Sequence, residues 1–299
     1  MLQTKPKEYI YDFTADGKTL LFPDNPEADY GVREKPLSIS TLGRFDIRLD
    51  GRQLDTSDFL KRRRIQDLLI LLILNRNDGL RKEKIFDLFW KNYTERSRKD
   101  NLNTLIYRLK KLLNNDGNLL IIDRNTIRLD MEMTDIDIDI FTCGIEEVKK
   151  LEDSLNPDAA LAKARETASL YRGEFLENIS TDVSVAGERS ELRKMYTSLL
   201  FRMLRLSAAK GFYREALETG KELIDIDPLC EPAYRLLMTT LGHLGNTSEI
   251  TRLYAVLEKR LKDNFEILPD EKTMTLKNKL ILGVLPDTSE VMNEVSVFF

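Results

Sequence analysis

Polar side chains with a helical spacing fill the segment between residues 98 and 113. Its apolar residues recur at helical intervals, at Leu102, Leu105 or Ile106, Leu109, and Leu112 or Leu113, so they define an inward face. The outward face offers Asn101, Thr104, Tyr107, Arg108 and Lys111, with Arg98 and Lys99 near its start. Asparagine and threonine suit base edges in the major groove, and arginine suits either bases or phosphates. The pattern predicts a DNA-reading helix, and the alternative is an ordinary solvated polar face.

Two further basic groups flank this segment. Lys61, Arg62, Arg63 and Arg64 open the first predicted helix, where they would contact phosphates or form a solvated basic turn. Four adjacent positions surround a helix, so at least one of these side chains must point inward or lie flat. Arg124 and Asn125 lie at the turn of a predicted hairpin. An arginine at such a tip can enter the minor groove, where the potential is most negative.

The charge of the chain is distributed unevenly. The net charge of the whole is −4, yet residues 61–111 contain 15 Lys/Arg against 6 Asp/Glu, a local charge of +9 that leaves −13 for the remainder. Such asymmetry indicates a nucleic-acid-facing module joined to one that faces something else. Taken alone, the basic segment also fits a solvated helix face.

The order of predicted elements explains how these side chains would be positioned. Residues 37–54 alternate apolar and polar, with turns at Gly43 and at Asp50-Gly51, and predict a short antiparallel sheet. Three helices follow, from near Asp58 to Asn77, over about Arg81–Trp90 with Ile85, Leu88 and Phe89 inward, and over about Arg98–Leu113. Residues 119–122 and 127–129 predict a β-hairpin. A sheet, three helices and a hairpin describe a winged helix over residues 37–130, in which the third helix reads DNA and the hairpin is the wing.

An internal repeat lies behind this domain. The segment that begins at Gly211 recurs 34 residues later at Gly245, with coincident glutamates (Glu215, Glu249) and apolar positions at Ala216 and Ile250 and at Leu223 and Leu257. This period is typical of tetratricopeptide helical hairpins. An earlier helix, at residues 158–165, is out of register, so a linker around Gly173–Gly187 must intervene. We therefore predict a mostly α fold with a small β component: a winged helix-turn-helix domain, then an all-α TPR-like domain over residues 135–285.

The remaining segments are less informative. Residues 1–36 are broken by proline and glycine and predict an extended or weakly ordered arm, in which Tyr9–Tyr11 and Leu20–Phe22 would form two short strands. Residues 135–140 alternate acidic and apolar residues and would mark the junction between domains. Residues 286–299 predict a polar tail.

Several classes of protein are excluded by what the sequence lacks. Cys143 and Cys230 form no CxxC pair and are expected to be small core residues, while the one histidine, His243, is expected to be structural. No phosphate loop and no GxGxxG motif is present, so we expect neither an enzyme nor a bound cofactor or metal. The longest apolar run, Leu68–Leu74, is far shorter than the roughly 20 residues of a membrane span. With no signal-peptide pattern at the start, these features predict a cytoplasmic protein.

A family resemblance covers about residues 37–282. Leu42-Gly43-Arg44-Phe45 resembles an opening strand and turn, residues 82–90 a second helix, and residues 101–113 a recognition helix. Further along, Ala168–Leu176, Asp227-Pro228-Leu229 with Glu231, and Arg235–Met238 resemble an activator-domain signature. In this order the motifs resemble the SARP/BTAD family of bacterial regulators, which join an OmpR-type winged helix to a bacterial transcriptional activator domain.

The resemblance implies a function beyond what composition and periodicity show. It implies sequence-specific binding to double-stranded DNA, often as a homodimer on direct repeats, and activation through contact with RNA polymerase. We therefore expect a transcription regulator whose repeat domain mediates dimerisation or polymerase contact. The alternative is an interaction or signalling scaffold, in which the winged helix packs on a protein and the repeat groove binds a peptide.

Overall fold

The chain folds into two compact units. The computed structural model describes residues 10–13, 19–22, 35–54, 62–113, 119–181 and 183–287, the first two ranges as backbone only. The first unit comprises Met1–Thr41, Phe45–Ile136 and Asn178–Val183, and the second comprises Leu42–Arg44, Asp137–Glu177 and Ser184–Phe299. Asn178–Val183 of the first unit and Leu42–Arg44 of the second unit are each separated in sequence from the rest of their unit.

All the strands found in the described residues belong to the first unit. Their bounds are β1 Ile10–Phe13, β2 Thr19–Phe22, β3 Leu37–Ser40, β4 Asp46–Leu49, β5 Arg52–Gln53, β6 Leu80–Arg81, β7 Leu120–Ile122, β8 Thr126–Leu129 and β9 Thr134–Ile136. Strands β1 and β2 pair antiparallel, with Ile10 opposite Phe22. A four-stranded sheet has the order β5-β4-β3-β9, and a three-stranded sheet has the order β6-β8-β7.

Strand β9 lies at the predicted junction of residues 135–140, and the boundary between the two units falls there, after Ile136. Residues 134–136 form a strand that pairs parallel with β3, and the chain becomes helical at Asp137. The Lys35 ammonium fixes this pairing, because it donates to the Thr134 carbonyl and forms an ion pair with Asp135 at 2.9 Å. The alternation does have a period of two, but a three-residue strand leaves too short a pattern to separate from a loop.

The described residues of the first unit also contain three helices: α1 Arg63–Leu74, α2 Lys82–Phe89 and α3 Glu95–Leu112. Helix α1 is buried from Ile65 to Ile73 and contacts α3 and β8, which makes it the central element of the core. The three-stranded sheet places its β7–β8 hairpin after α3. This arrangement is the winged helix-turn-helix that the order of elements predicts.

Two details of these helices differ from the prediction. Helix α3 begins at Glu95, three residues before Arg98, because Thr94 caps it by accepting a hydrogen bond from the Ser97 amide. Leu88, expected on the inward face of α2, is 54% exposed, and Ile85 is the buried residue of that helix. The spacing of Ile85, Leu88 and Phe89 does place them on one side of the helix, but Phe89 is only half-buried and Leu88 lies at the exposed edge of that side.

The second unit is a stack of helical hairpins. Its helices are α4 Asp137–Asp153, α5 Pro157–Ala168, α6 Ala186–Ala209, α7 Tyr213–Ile226, α8 Glu231–His243, α9 Thr247–Phe265 and α10 Glu271–Ile281. Each helix contacts the next, and α6 also contacts α8, as α8 does α10. The predicted 34-residue repeat corresponds to the α6–α7 and α8–α9 hairpins. The predicted linker is the stretch between Ala168 and Ala186, so Gly187 lies inside α6.

The turns that follow α6, α8 and α10 share one backbone geometry. The residue two positions after the last residue of each helix is a glycine, at Gly211, Gly245 and Gly283. Each of these glycines has φ near +75°, the left-handed conformation that ends many helices. The next amide then bonds back over five residues, as from Phe212 to the Ser207 carbonyl at 2.9 Å. Helix α4 ends in the same way at Leu155, with φ of 56°. The repeat pattern therefore extends to a first hairpin, α4–α5, that lacks the glycine.

Small side chains allow close approach inside the second unit. Gly43 has φ of +91°, and a Cβ built on it would lie 3.0 Å from the Arg172 backbone, so this position requires glycine. The Gly43 amide donates to the Glu174 carbonyl at 3.1 Å.

Cys230 is partly buried, but Cys143 is exposed on α4, which corrects our expectation of a core residue there.

Candidate nucleic-acid interface

The outward face of α3 is the largest group of candidate DNA-binding side chains in the first unit. Leu102, Leu105, Ile106 and Leu109 are buried, so both alternatives at positions 105 and 106 face the core. The side chains of Thr104, Tyr107, Arg108 and Lys111 are exposed on the other side, Tyr107 by 67%, and Asn101 is half-buried. This division fixes which residues of the helix can meet a ligand.

Most of these outward side chains have no partner in the described residues. Within that part of the chain no ion pair or side-chain hydrogen bond involves Asn101, Tyr107, Arg108 or Lys111. The Thr104 hydroxyl donates to the Asp100 carbonyl at 2.9 Å and keeps its lone pairs as acceptors. Because Arg108 and Lys111 are one turn apart, their charges share one stripe of the helix.

The first turns of α3 are occupied by internal contacts. Arg98 donates through Nε to the Tyr93 carbonyl at 3.0 Å and through Nη2 to the Lys91 carbonyl, so it closes the loop that joins α2 to α3. Lys99 forms an ion pair with Glu95 at 2.6 Å, and this ammonium lowers the pKa of the Glu95 carboxyl. Arg98 is therefore placed to position the helix, while Lys99 is a paired surface cation.

The basic residues at the start of α1 differ in their surroundings. Arg62, Arg63 and Arg64 are all exposed, and Lys61 lies outside the described residues. Arg63 donates to the Ser180 hydroxyl at 3.4 Å, and the Arg64 guanidinium lies 5.8 Å from the centre of the Trp90 ring. Trp90 is 3% exposed, which confirms it as a core residue. The prediction that one side chain must lie flat is met by Arg64, which covers this ring.

The wing turn is fixed by a residue that the sequence did not single out. Lys82 donates from Nζ to the Asp123 carbonyl at 2.6 Å and to the Arg124 carbonyl at 3.1 Å. Its amide also donates to the Asn125 carbonyl at 2.9 Å. Arg124 and Asn125 are exposed at the tip, and their side chains have no partner among the described residues. The turn is thus held by its backbone, which leaves both side chains available.

Other binding chemistry finds little support in the described residues. No group of three or more His, Cys, Asp or Glu side chains there is arranged to hold a metal ion. None of the described helices is long and apolar enough to cross a membrane. His243 stacks on Tyr213, with ring centres 5.1 Å apart, which is a packing role.

The comparison with known proteins decides the family. Residues 136–281 match the bacterial transcriptional activator domain family. The chain is also 22% identical over 153 residues to regulatory protein DnrI of Streptomyces peucetius, a match that covers 51% of this chain and 56% of that protein. Residues 136–281 are therefore a bacterial transcriptional activator domain, and the chain is similar to regulators of the SARP/BTAD family. The matched domain family is one of transcriptional regulators and not of enzymes.

The fold of the chain also resembles a solved structure. It matches Mycobacterium tuberculosis EmbR, a structure in complex with a low-affinity phosphopeptide, with a TM-score of 0.72 and 17% identity. The match covers 88% of this chain and 69% of the EmbR chain. The likeness confirms a winged helix followed by helical repeats.

Proposed function

We propose that this protein binds specific sequences in double-stranded DNA. It recognises base pairs by inserting α3 into the major groove. The observation that carries the proposal is the outward face of α3, where Asn101, Tyr107, Arg108 and Lys111 are unpartnered in the described part of the chain. Asparagine and arginine can each make two hydrogen bonds to one base edge, which distinguishes base pairs in the major groove.

The other cations support a division of labour. Arg62 and Arg63 at the start of α1 would hold phosphates, and Arg124 with Asn125 would contact the minor groove beside the wing. Arg64, Arg98 and Lys99 would also reach phosphates, and these three, like Arg62 and Arg63, have contacts within the protein as well. Phosphate contacts set the register, and the α3 face supplies the specificity.

The second unit would link DNA binding to transcription. We assign it dimerisation or contact with RNA polymerase, as the resemblance implies. The activity would be that of an activator in the cytoplasm, where the chromosomal DNA is found.

A titration with duplexes selected from genomic fragments tests the proposal. We expect Arg108→Ala to weaken binding by about 1–3 kcal/mol and to relax the preference at one base pair, because a bidentate guanine contact would be lost. Arg62→Ala would instead weaken binding to all sequences alike and lower the salt dependence. Arg214→Ala, on an exposed arginine of α7, is the matched control and leaves binding unchanged.

The opposite results would separate the alternatives. Equal losses across all duplexes on changing Arg108 would reassign this residue to a phosphate. The absence of salt-sensitive binding to any fragment by the folded chain would contradict the proposal. Intact function in cells after charge reversal at Arg108 and Lys111 would favour the protein-interaction scaffold.

A further inference from the structure

Helix α1 buries two polar side chains in the middle of an apolar face. Gln66 and Asp67 are 3% and 2% exposed, and every residue from Ile65 to Ile73 is buried. A buried carboxylate or amide without a hydrogen bond is costly, so both groups require partners. The residues that follow them on the helix, from Leu68 to Ile73, are all leucine or isoleucine and offer none.

The partners come from a segment more than one hundred residues later. Gln66 donates through Nε2 to the Ser180 carbonyl at 2.6 Å. The Thr181 hydroxyl donates to Asp67 Oδ1 at 2.5 Å and accepts from the Val183 amide at 3.0 Å. The Thr181 hydroxyl is thus used as donor and as acceptor at once, which fixes its orientation.

This segment is part of the first unit, although its sequence neighbours are not. Asn178–Val183 belongs to the first unit, while Asp137–Glu177 and the chain from Ser184 onward belong to the second. Ile179, in the same segment, is buried. We call Asn178–Val183 the strap. It belongs to the winged-helix unit although it follows the first hairpin of the repeats in the sequence.

The strap contacts α1 near an end that has no side-chain cap. Arg62, the residue that caps α1, makes no side-chain capping hydrogen bond, and no acidic residue lies in the first turn. Arginines at this end also face the positive pole of the helix dipole, which is unfavourable. Gln66 and Asp67 lie about one turn from Arg62 and Arg63, so their ties to the strap fix the start of the helix.

We propose that Thr181, through Asp67, and Ser180, through Gln66, are positioning residues for the basic start of α1. By holding the first turn, they keep Arg62 and Arg63 in the arrangement that meets DNA phosphates. The inference rests on the proposed function for its DNA-binding part, while the anchoring of α1 stands on the geometry alone.

The test is a comparison of Thr181→Val with Thr181→Ser in the full chain. Valine keeps the shape and removes the hydroxyl, and serine restores it. We expect Thr181→Val to weaken binding to every duplex by about tenfold and to lower the salt slope by about one, since one phosphate contact is lost. The ratio of specific to non-specific affinity stays unchanged, and Thr181→Ser binds as the wild type does.

A measurement without DNA separates this proposal from the proposed function. Deuterium uptake by the amides of residues 65–70 should rise in Thr181→Val and not in Thr181→Ser. Thr142→Val, which removes a half-buried hydroxyl bonded to the Ile138 carbonyl in the second unit, is the matched control. If Thr181→Val fails to fold, Gln66→Met removes the other tie and is measured in the same way.

Each result then has one meaning. Unchanged uptake in α1, or a lower melting temperature with an unchanged salt slope, would overturn the positioning role and leave Thr181 as a purely structural residue. If the wild-type chain bound no duplex, the proposed function would fail, and with it the phosphate part of this inference. The exchange measurement would still establish or refute the anchoring of α1.

Discussion

Arg98 and Arg108 lie ten residues apart on one helix and have different surroundings. The guanidinium of Arg98 binds two carbonyls of the preceding loop, whereas that of Arg108 has no partner in the described residues. The sequence pattern places both arginines on the outward face of α3. Their roles can be distinguished only because the loop between α2 and α3 places its carbonyls beside Arg98. Contacts within the protein thus divide the described candidate residues into those that hold the candidate interface together and those whose side chains could meet a ligand.

Lys82 provides the sharpest test of the wing at this scale. Its ammonium bridges the Asp123 and Arg124 carbonyls, so Lys82→Met should loosen the turn that carries Arg124 and lower the stability of the first unit by about 1 kcal/mol. Trp90 fluorescence during urea unfolding measures this loss. Lys84→Met is the control, because that ammonium makes a single long contact of 3.4 Å with Asn75. Equal effects of the two changes would contradict the role given to Lys82.

At the scale of elements, the first repeat hairpin contains a strained turn. Leu155 occupies the left-handed position that Gly211 and Gly245 occupy in the later hairpins, and its side chain is 88% exposed. A leucine in this conformation is disfavoured by about 1–2 kcal/mol. Because the side chain is exposed, no burial of apolar surface offsets this cost. The hairpin forms despite this turn because α4 and α5 pack along their length.

Exchanging residues between equivalent turns tests this explanation. We expect Leu155→Gly to raise the free energy of unfolding of the second unit by about 0.5–1 kcal/mol, because the strain is relieved. Gly211→Ala should lower it by about 1 kcal/mol for the converse reason. Far-UV circular dichroism in urea follows both, and a stability loss in Leu155→Gly would show that the exposed side chain makes an unrecognised contact.

At the scale of the whole molecule, the basic charge and the single tryptophan lie in the same unit. The positive segment of residues 61–111 belongs to the first unit, together with Trp90. The fluorescence of this residue therefore reports on the proposed DNA-binding unit, while the circular dichroism signal is dominated by helices of the second.

This separation allows DNA binding to be measured as stabilisation. A ligand that binds only the folded state at a hundred times its Kd raises stability by about 2.7 kcal/mol. We expect the Trp90 transition to shift by this amount with a specific duplex and by less with an unrelated one at equal concentration. A transition that does not move with any duplex would contradict DNA binding by this unit.

The sequence by itself determined the elements whose signals are local. The outward face of α3, the hairpin after it and the 34-residue repeat all follow from periodicity and turn residues, which report on neighbours within one or two turns. The division into a basic and an acidic part also follows from composition. These features were enough to predict the winged helix, the repeats behind it and the side chains that could meet DNA.

The tertiary structure decided the features that depend on residues distant in sequence. Strand β9 is too short to recognise alone and exists because β3 pairs with it. The ties from Gln66 and Asp67 to Ser180 and Thr181 join positions 114 residues apart, which no local pattern can show. Lys82 and Arg98 look like surface cations until the carbonyls they bind are in place. Hydrogen-bond partners are chosen by folding in three dimensions, so only the folded chain separates the residues that build the interface from those that can bind DNA.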